Sequence, residues 1–128
     1  MNTGMATVLV VEDEPVIALD LHGLLQDAGY SVIGPASSSA EALELLHQSN
    51  PDVALLDVNL GRTDVFDVAN ELAARNGRVI FLTGHTKQAL PQAHRHRPLV
   101  SKPFLPQVLV KAVQDALADR TCLGENVA

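Results

Sequence analysis

Short apolar runs alternate along this chain with longer stretches whose apolar residues recur every three or four positions. The runs at 6–11, 53–56, 79–82 and 99–100 are rich in Val, Leu and Ile, without polar alternation. That pattern predicts strands covered on both faces, as in a parallel sheet between helices. A shorter run at 31–34 predicts another strand, at an edge of the sheet. Between these lie helical periods. One helix is expected from Glu14-Pro15 to Gly29, with Pro15 at the first helical position and Gly29 as a left-handed cap. Ile17, Leu21, Leu24 and Ala28 form its expected buried stripe.

Ser38-x-x-Glu41 reads as a capping box opening a second helix that carries Ala42, Leu43, Leu45 and Leu46. Asn50-Pro51 stops that helix. A third helix is expected from near Thr63-Asp64 to Asn76-Gly77, and a last one over 106–119. The last would turn Leu109, Ala112, Val113, Ala116 and Leu117 inward. From Gly84 to Pro98, Pro91 and the run His94-Arg95-His96-Arg97 spoil amphipathic spacing, so the fourth helix should be short or irregular. Strict alternation of five strands and about five helices predicts a doubly wound α/β fold with flavodoxin-like strand order 2-1-3-4-5. Right-handed crossovers would bring every strand's carboxyl end to one edge.

Polar chemistry sits where the apolar runs stop. Glu12-Asp13 follows the first strand, Asp57 ends the third, Thr83 the fourth, and Lys102-Pro103 follows the fifth. The expected strand order makes Glu12-Asp13 a neighbour of Asp57. Three clustered carboxylates need compensation, and Mg²⁺ suits an all-oxygen donor set. A main-chain oxygen at Asn59 could complete the shell. With the metal, Asp57 becomes a nucleophile toward a phosphoryl group. Lys102 can pair with one phosphoryl oxygen and Thr83 can donate a hydrogen bond to another.

Length and charge narrow the classes. The 128 residues hold one domain, and 47% hydrophobic content supports a core. We expect a domain over 6–119, loose segments at 1–5 and 120–128, and no output domain. No apolar run reaches membrane-span length, and no secretory signal pattern opens the chain. One cysteine, Cys122, allows no intramolecular disulfide, which fits a reducing cytoplasm. A net charge of −6 argues against tight non-specific nucleic-acid binding.

These residues closely resemble the receiver domain of two-component response regulators, in the CheY-like superfamily. The likeness rests on Glu12-Asp13, Asp57, Thr83 and Lys102-Pro103-Phe104 in order at the strand ends. It implies that Asp57 accepts phosphate from the phosphohistidine of a sensor histidine kinase or phosphotransfer protein. It implies that Glu12 and Asp13 serve Mg²⁺, that Thr83 is the switch hydroxyl and that Lys102 contacts the phosphoryl group. It also makes Lys102-Pro103 a candidate cis bond. Such a protein catalyses its own phosphorylation and dephosphorylation and is not otherwise an enzyme. It would act in the cytoplasm on an unidentified downstream protein, without membrane or direct nucleic-acid contact, and could form a homodimer.

Two features depart from the family pattern. Leu99 stands where receivers often carry a switch aromatic. Phe81-Leu82-Thr83-Gly84, Ala89-Leu90-Pro91 and Arg97-Pro98 resemble stand-alone receivers associated with HWE-type kinases, which commonly have atypical fourth helices. Other readings stay open: a degenerate receiver acting only as a binding adaptor or phosphate sink, or a small Mg²⁺ phosphohydrolase. The last would want an acid where Asn59 stands. For Asn59 two readings stand side by side, orienting water or simply forming a turn. His85 is either a solvated loop residue or close to the attacking water's path. His22 and His47 are expected on helix surfaces, and Phe66, Phe81 and Phe104 in packing. The 94–97 run reads as a solvated turn or, alternatively, a docking patch for an acidic partner.

Overall fold

A computed structural model describes residues 6–58, 65–84 and 90–118. Five parallel strands form one sheet in the order β2-β1-β3-β4-β5. They are β1 (Thr7–Val11), β2 (Ser31–Ala36), β3 (Val53–Asp57), β4 (Arg78–Thr83) and β5 (Leu99–Ser101). The α-helices among the described residues are α1 (Pro15–Asp27), α2 (Ser39–Gln48), α3 (Phe66–Ala74) and α4 (Pro106–Ala118). This is the expected doubly wound, flavodoxin-like fold, with four α-helices among the described residues. Where a short or irregular fourth helix was expected, the described part, 90–98, contains a 3₁₀ turn over Gln92–His94.

The pleat sorts each strand between two cores. Leu9, Val11, Ala54, Leu56, Val79 and Phe81 pack on one face against Ala42 and Leu46 of α2 and Val68, Ala69 and Leu72 of α3. Val8, Val10, Val53, Leu55, Ile80 and Leu82 pack on the other against Leu21 and Leu25 of α1 and Leu109 and Val113 of α4. Each fully buried Leu or Phe here contributes roughly 1.5–3 kcal/mol relative to exposure.

The helix ends follow local chemistry. Pro15 opens α1, and Gly29 lies beyond its end at φ +97°. The buried face of α1 is rotated from the expected stripe. It is Ala18, Leu21 and Leu25, with Ile17 and Leu24 at its margins and Ala28 exposed. The Ser38 hydroxyl accepts from the Glu41 N–H at 3.1 Å. The Glu41 carboxylate reaches one residue further back than in a simple capping box, to the Ser37 N–H at 2.9 Å. Helix α3 starts at Phe66, and the expected start at Thr63-Asp64 lies outside the described residues.

Strand β2 runs two residues past its expected end at Gly34, through Pro35 to Ala36. Its register against β1 shifts between Leu9 and Val11, so that Val11 pairs with Ala36. Gly34 sits at φ +96°, and a Cβ there would fall 2.7 Å from the Ala36 nitrogen and 2.9 Å from the Val10 oxygen. Pro35 is tolerated because β2 is an edge strand. The bulge has a consequence at the site: the Glu12 N–H donates to the Ala36 carbonyl at 2.9 Å. Both Gly34-Pro35 and Lys102-Pro103 are cis.

Candidate functional site

Because β1 and β3 are adjacent, Glu12, Asp13 and Asp57 meet at one sheet edge. Each presents a carboxylate oxygen within 4.8 Å of the others, with Glu12 and Asp57 buried and Asp13 exposed. Lys102 arrives from the end of β5 and bridges the buried pair. Its Nζ lies 2.9 Å from Glu12 Oε1 and 3.2 Å from Asp57 Oδ1. The other Glu12 oxygen, Oε2, accepts from the Glu14 N–H at 3.2 Å.

Electrostatics follow from burial. The desolvated Glu12 carboxyl is pushed up to about 7; the bond to Lys102 pulls it down and the Asp57 charge pushes it further up. Burial disfavours the Lys102 ammonium, but its bond to Glu12 and the Asp57 charge outweigh that and raise its pKa. One ammonium therefore offsets part of a charge cluster that carries three carboxylates.

The oxygen-only donor set fits a hard divalent cation such as Mg²⁺. Glu12, Asp13 and Asp57 would hold it, with Asp13 as the exposed member of the three. Asn59 and His85 lie outside the described residues, so the main-chain ligand and water-path readings are neither met nor opposed.

Thr83 is fully buried at the end of β4. Its carbonyl accepts from the Lys102 N–H at 2.9 Å, which ties the hydroxyl-bearing strand to the lysine turn. At the neighbouring ends of β3 and β4, Asp57 is in register with Leu82, and Thr83 is the next residue along β4. Leu99 is the register partner of Phe81 and packs on the α2–α3 core. Phe104 packs against the α1–α4 core beyond the Lys102-Pro103 turn.

Reading 94–97 as a solvated turn fails for its first residue. His94 is buried, stacked on Phe66 with ring centroids 5.8 Å apart and edge-on to Phe81 at 5.7 Å. Its Nε2 lies 2.9 Å from Asn70 Oδ1. Leu90, also buried, joins the same core. Leu90 and His94 are spaced as one helical face, a signal that the neighbouring charges masked. Of the remaining histidines, His47 is exposed on α2, while half-buried His22 lines a cavity of about 460 Å³ beside Glu12 and Asp13.

Residues 8–114 match the response regulator receiver domain along its profile. The chain belongs to that family. The receiver is 32% identical over 115 residues to the transcriptional regulatory protein PdtaR of Mycobacterium tuberculosis, covering 87% of this chain and 56% of that protein. It is 35% identical over 119 residues to the phyllosphere-induced regulator PhyR of Methylorubrum extorquens, covering 88% of this chain and 44% of PhyR. The chain thus spans about half the length of these curated relatives. Its fold superposes on the solution structure of the Erythrobacter litoralis PhyR receiver domain with a TM-score of 0.83 at 27% identity, covering 98% of this chain and 97% of that one. Among the described residues no helix is long and apolar enough to cross a membrane.

Proposed function

We propose that this receiver accepts a phosphoryl group on Asp57 from the phosphohistidine of a sensor histidine kinase or phosphotransfer protein, in a Mg²⁺-dependent step within cytoplasmic two-component signalling. The observation that carries this reading is the Lys102 ammonium held between Glu12 and Asp57 inside a three-carboxylate cluster.

In this reading an Asp57 carboxylate oxygen attacks phosphorus. A P–O bond forms, the P–N bond breaks, and the imidazole leaves with the electron pair and takes up a proton. Lys102, at 3.2 Å from Asp57 Oδ1, is placed to exchange part of its carboxylate contact for a phosphoryl oxygen. Thr83 supplies a hydroxyl donor from the neighbouring strand end. Glu12 and Asp13, with Asp57, would hold the Mg²⁺, which when bound neutralises charge on the phosphoryl oxygens. Catalysis is mainly positioning and electrostatics. Hydrolysis then adds water at phosphorus, breaks the same P–O bond, and releases inorganic phosphate with Asp57 restored. The activity is confined to the domain's own carboxylate, without turnover of other substrates.

Partner docking has apolar surface beside this edge. Val16 and Leu19 on α1 are 74% and 73% exposed, and Leu105 and Val108 at the start of α4 are 59% and 49% exposed.

Incubation with a small-molecule phosphodonor and Mg²⁺, read by intact mass, tests the proposal. One added phosphoryl group is expected on the wild type, abolished by chelation and by Asp57→Ala. Labelling of Asp57→Ala at the wild-type level overturns the assignment. An unlabelled, folded wild type would instead favour a binding adaptor.

A further inference from the structure

The described 90–97 stretch between β4 and β5 is seated on the core by Leu90 and by the His94 ring. His94 fills a slot between Phe66 of α3 and Phe81 of β4, and Asn70 of α3 accepts from its Nε2. With Nε2 carrying the hydrogen, Nδ1 is a lone pair, buried and without a hydrogen-bond partner among the described residues. Backbone bonds within the turn run from His94 N–H to Pro91 at 2.9 Å, from Arg95 N–H to Gln92 at 3.3 Å and from Arg97 N–H to His94 at 3.2 Å. Leu90 and His94 are the buried residues of the described 90–97 stretch.

We propose that residues 90–97 form an acid-released latch: neutral His94 seats the segment on α3 and β4, and protonation of His94 ejects it, uncovering the Phe66–Phe81 face.

Protonation would put a second N–H at Nδ1, buried with no acceptor among the described residues, and a full charge between two phenyl rings. The charges acting on the ring from its own segment are those of Arg97 and His96, both unfavourable to imidazolium. Arg95 in the same segment turns its Nε to the Leu90 carbonyl at 3.0 Å. On α3 the acidic residues adjoining the contact residues are exposed Asp67 and half-buried Glu71, and Glu71 pairs with Arg75 at 3.0 Å. β4 brings Phe81 between Ile80 and Leu82, and β5 brings Leu99, so neither strand adds a charge at this level. Burial, with those two cations, holds His94 below the usual 6.5. The release sits on the α2–α3 face, apart from the carboxylates, and does not depend on phosphoryl chemistry.

The test is amide hydrogen exchange and histidine NMR on the whole chain between pH 7.5 and 5. Protection at His94 and Arg97 should fall about tenfold for each pH unit between 6.5 and the seated His94 pKa. Protection in β1 and β3 should hold. His94→Phe keeps a ring in the slot without a titrating group, and Asn70→Asp gives imidazolium a carboxylate at Nε2. Both should keep the segment seated at pH 5. A His94 pKa at or above 6.5, or equal acid opening in wild type and both variants, would overturn the latch. Loss of β1 and β3 protection in parallel with 90–97 would overturn it also, because the release would then be global unfolding.

Discussion

The Lys102 ammonium lies 2.9 Å from Glu12 Oε1, a carboxylate whose side chain is fully shielded from solvent. The pair joins the ends of the strands on either side of β3 and β4, so it closes the site across the sheet. Lys102→Ala leaves Glu12 and Asp57 facing each other without a cation. It should cost about 2–3 kcal/mol in urea unfolding, part of it relieved by protonation of Glu12. Phosphodonor labelling of Asp57 should slow by about 10²-fold, the scale of one lost electrostatic donor.

Glu12 predicts a pH dependence with an unusual sign. Its folded pKa is about 7 against an ordinary 4.5. Between those values the folded state keeps a proton that the unfolded state has lost. Metal-free stability should therefore fall as pH rises through that window, by up to about 3 kcal/mol from this group. Chemical denaturation at pH 5 and pH 8, compared with Glu12→Gln, isolates the slope. The Gln variant should lose most of it, and Mg²⁺ should offset it in the wild type at pH 8.

Two glycines with left-handed φ make a matched comparison. Gly29 has open space where a Cβ would stand, so Gly29→Ala should cost only about 1–2 kcal/mol. Gly34 has the Ala36 nitrogen at 2.7 Å and the Val10 oxygen at 2.9 Å in the same place. Gly34→Ala should cost more than about 3 kcal/mol, because backbone on two strands must shift in addition to the φ strain. It should also weaken Mg²⁺ binding, since the bulge places the Ala36 carbonyl against the Glu12 N–H. Thermal melts and a Mg²⁺ titration by NMR read both effects.

Leu99 pairs in register with Phe81, on the face of the sheet opposite Asp57. Leu99→Tyr adds a ring beside Phe81 without touching the carboxylates. Partner affinity should change several-fold while the labelling rate of Asp57 stays within about twofold. Equal changes in both would count against a division between site and output.

Much of this molecule is legible from local pattern. Strand β3 begins and ends at Val53 and Asp57, and β5 at Leu99 and Ser101, where the apolar runs themselves start and stop. Local pattern misled where tertiary packing overrode it. Gly34-Pro35 reads as a strand stop, yet an edge strand accommodates both residues in a bulge. His94 reads as part of a charged turn, yet Phe66 and Asn70 from α3 surround it. The α1 stripe was displaced because β1 and α4, rather than periodicity alone, select the buried face.

By itself, the sequence determined the alternation of elements, hence the parallel sheet and the edge at which Glu12, Asp13, Asp57, Thr83 and Lys102 arrive. Those are properties of period and of strand ends, read within a few residues. Only the tertiary structure decided which of them touch. It set Lys102 between Glu12 and Asp57, put Leu99 beside Phe81 on the α2–α3 core, and buried His94 beside Phe81. Those outcomes depend on register and pleat phase between segments far apart in the chain, where a shift of one residue reverses the face a side chain joins.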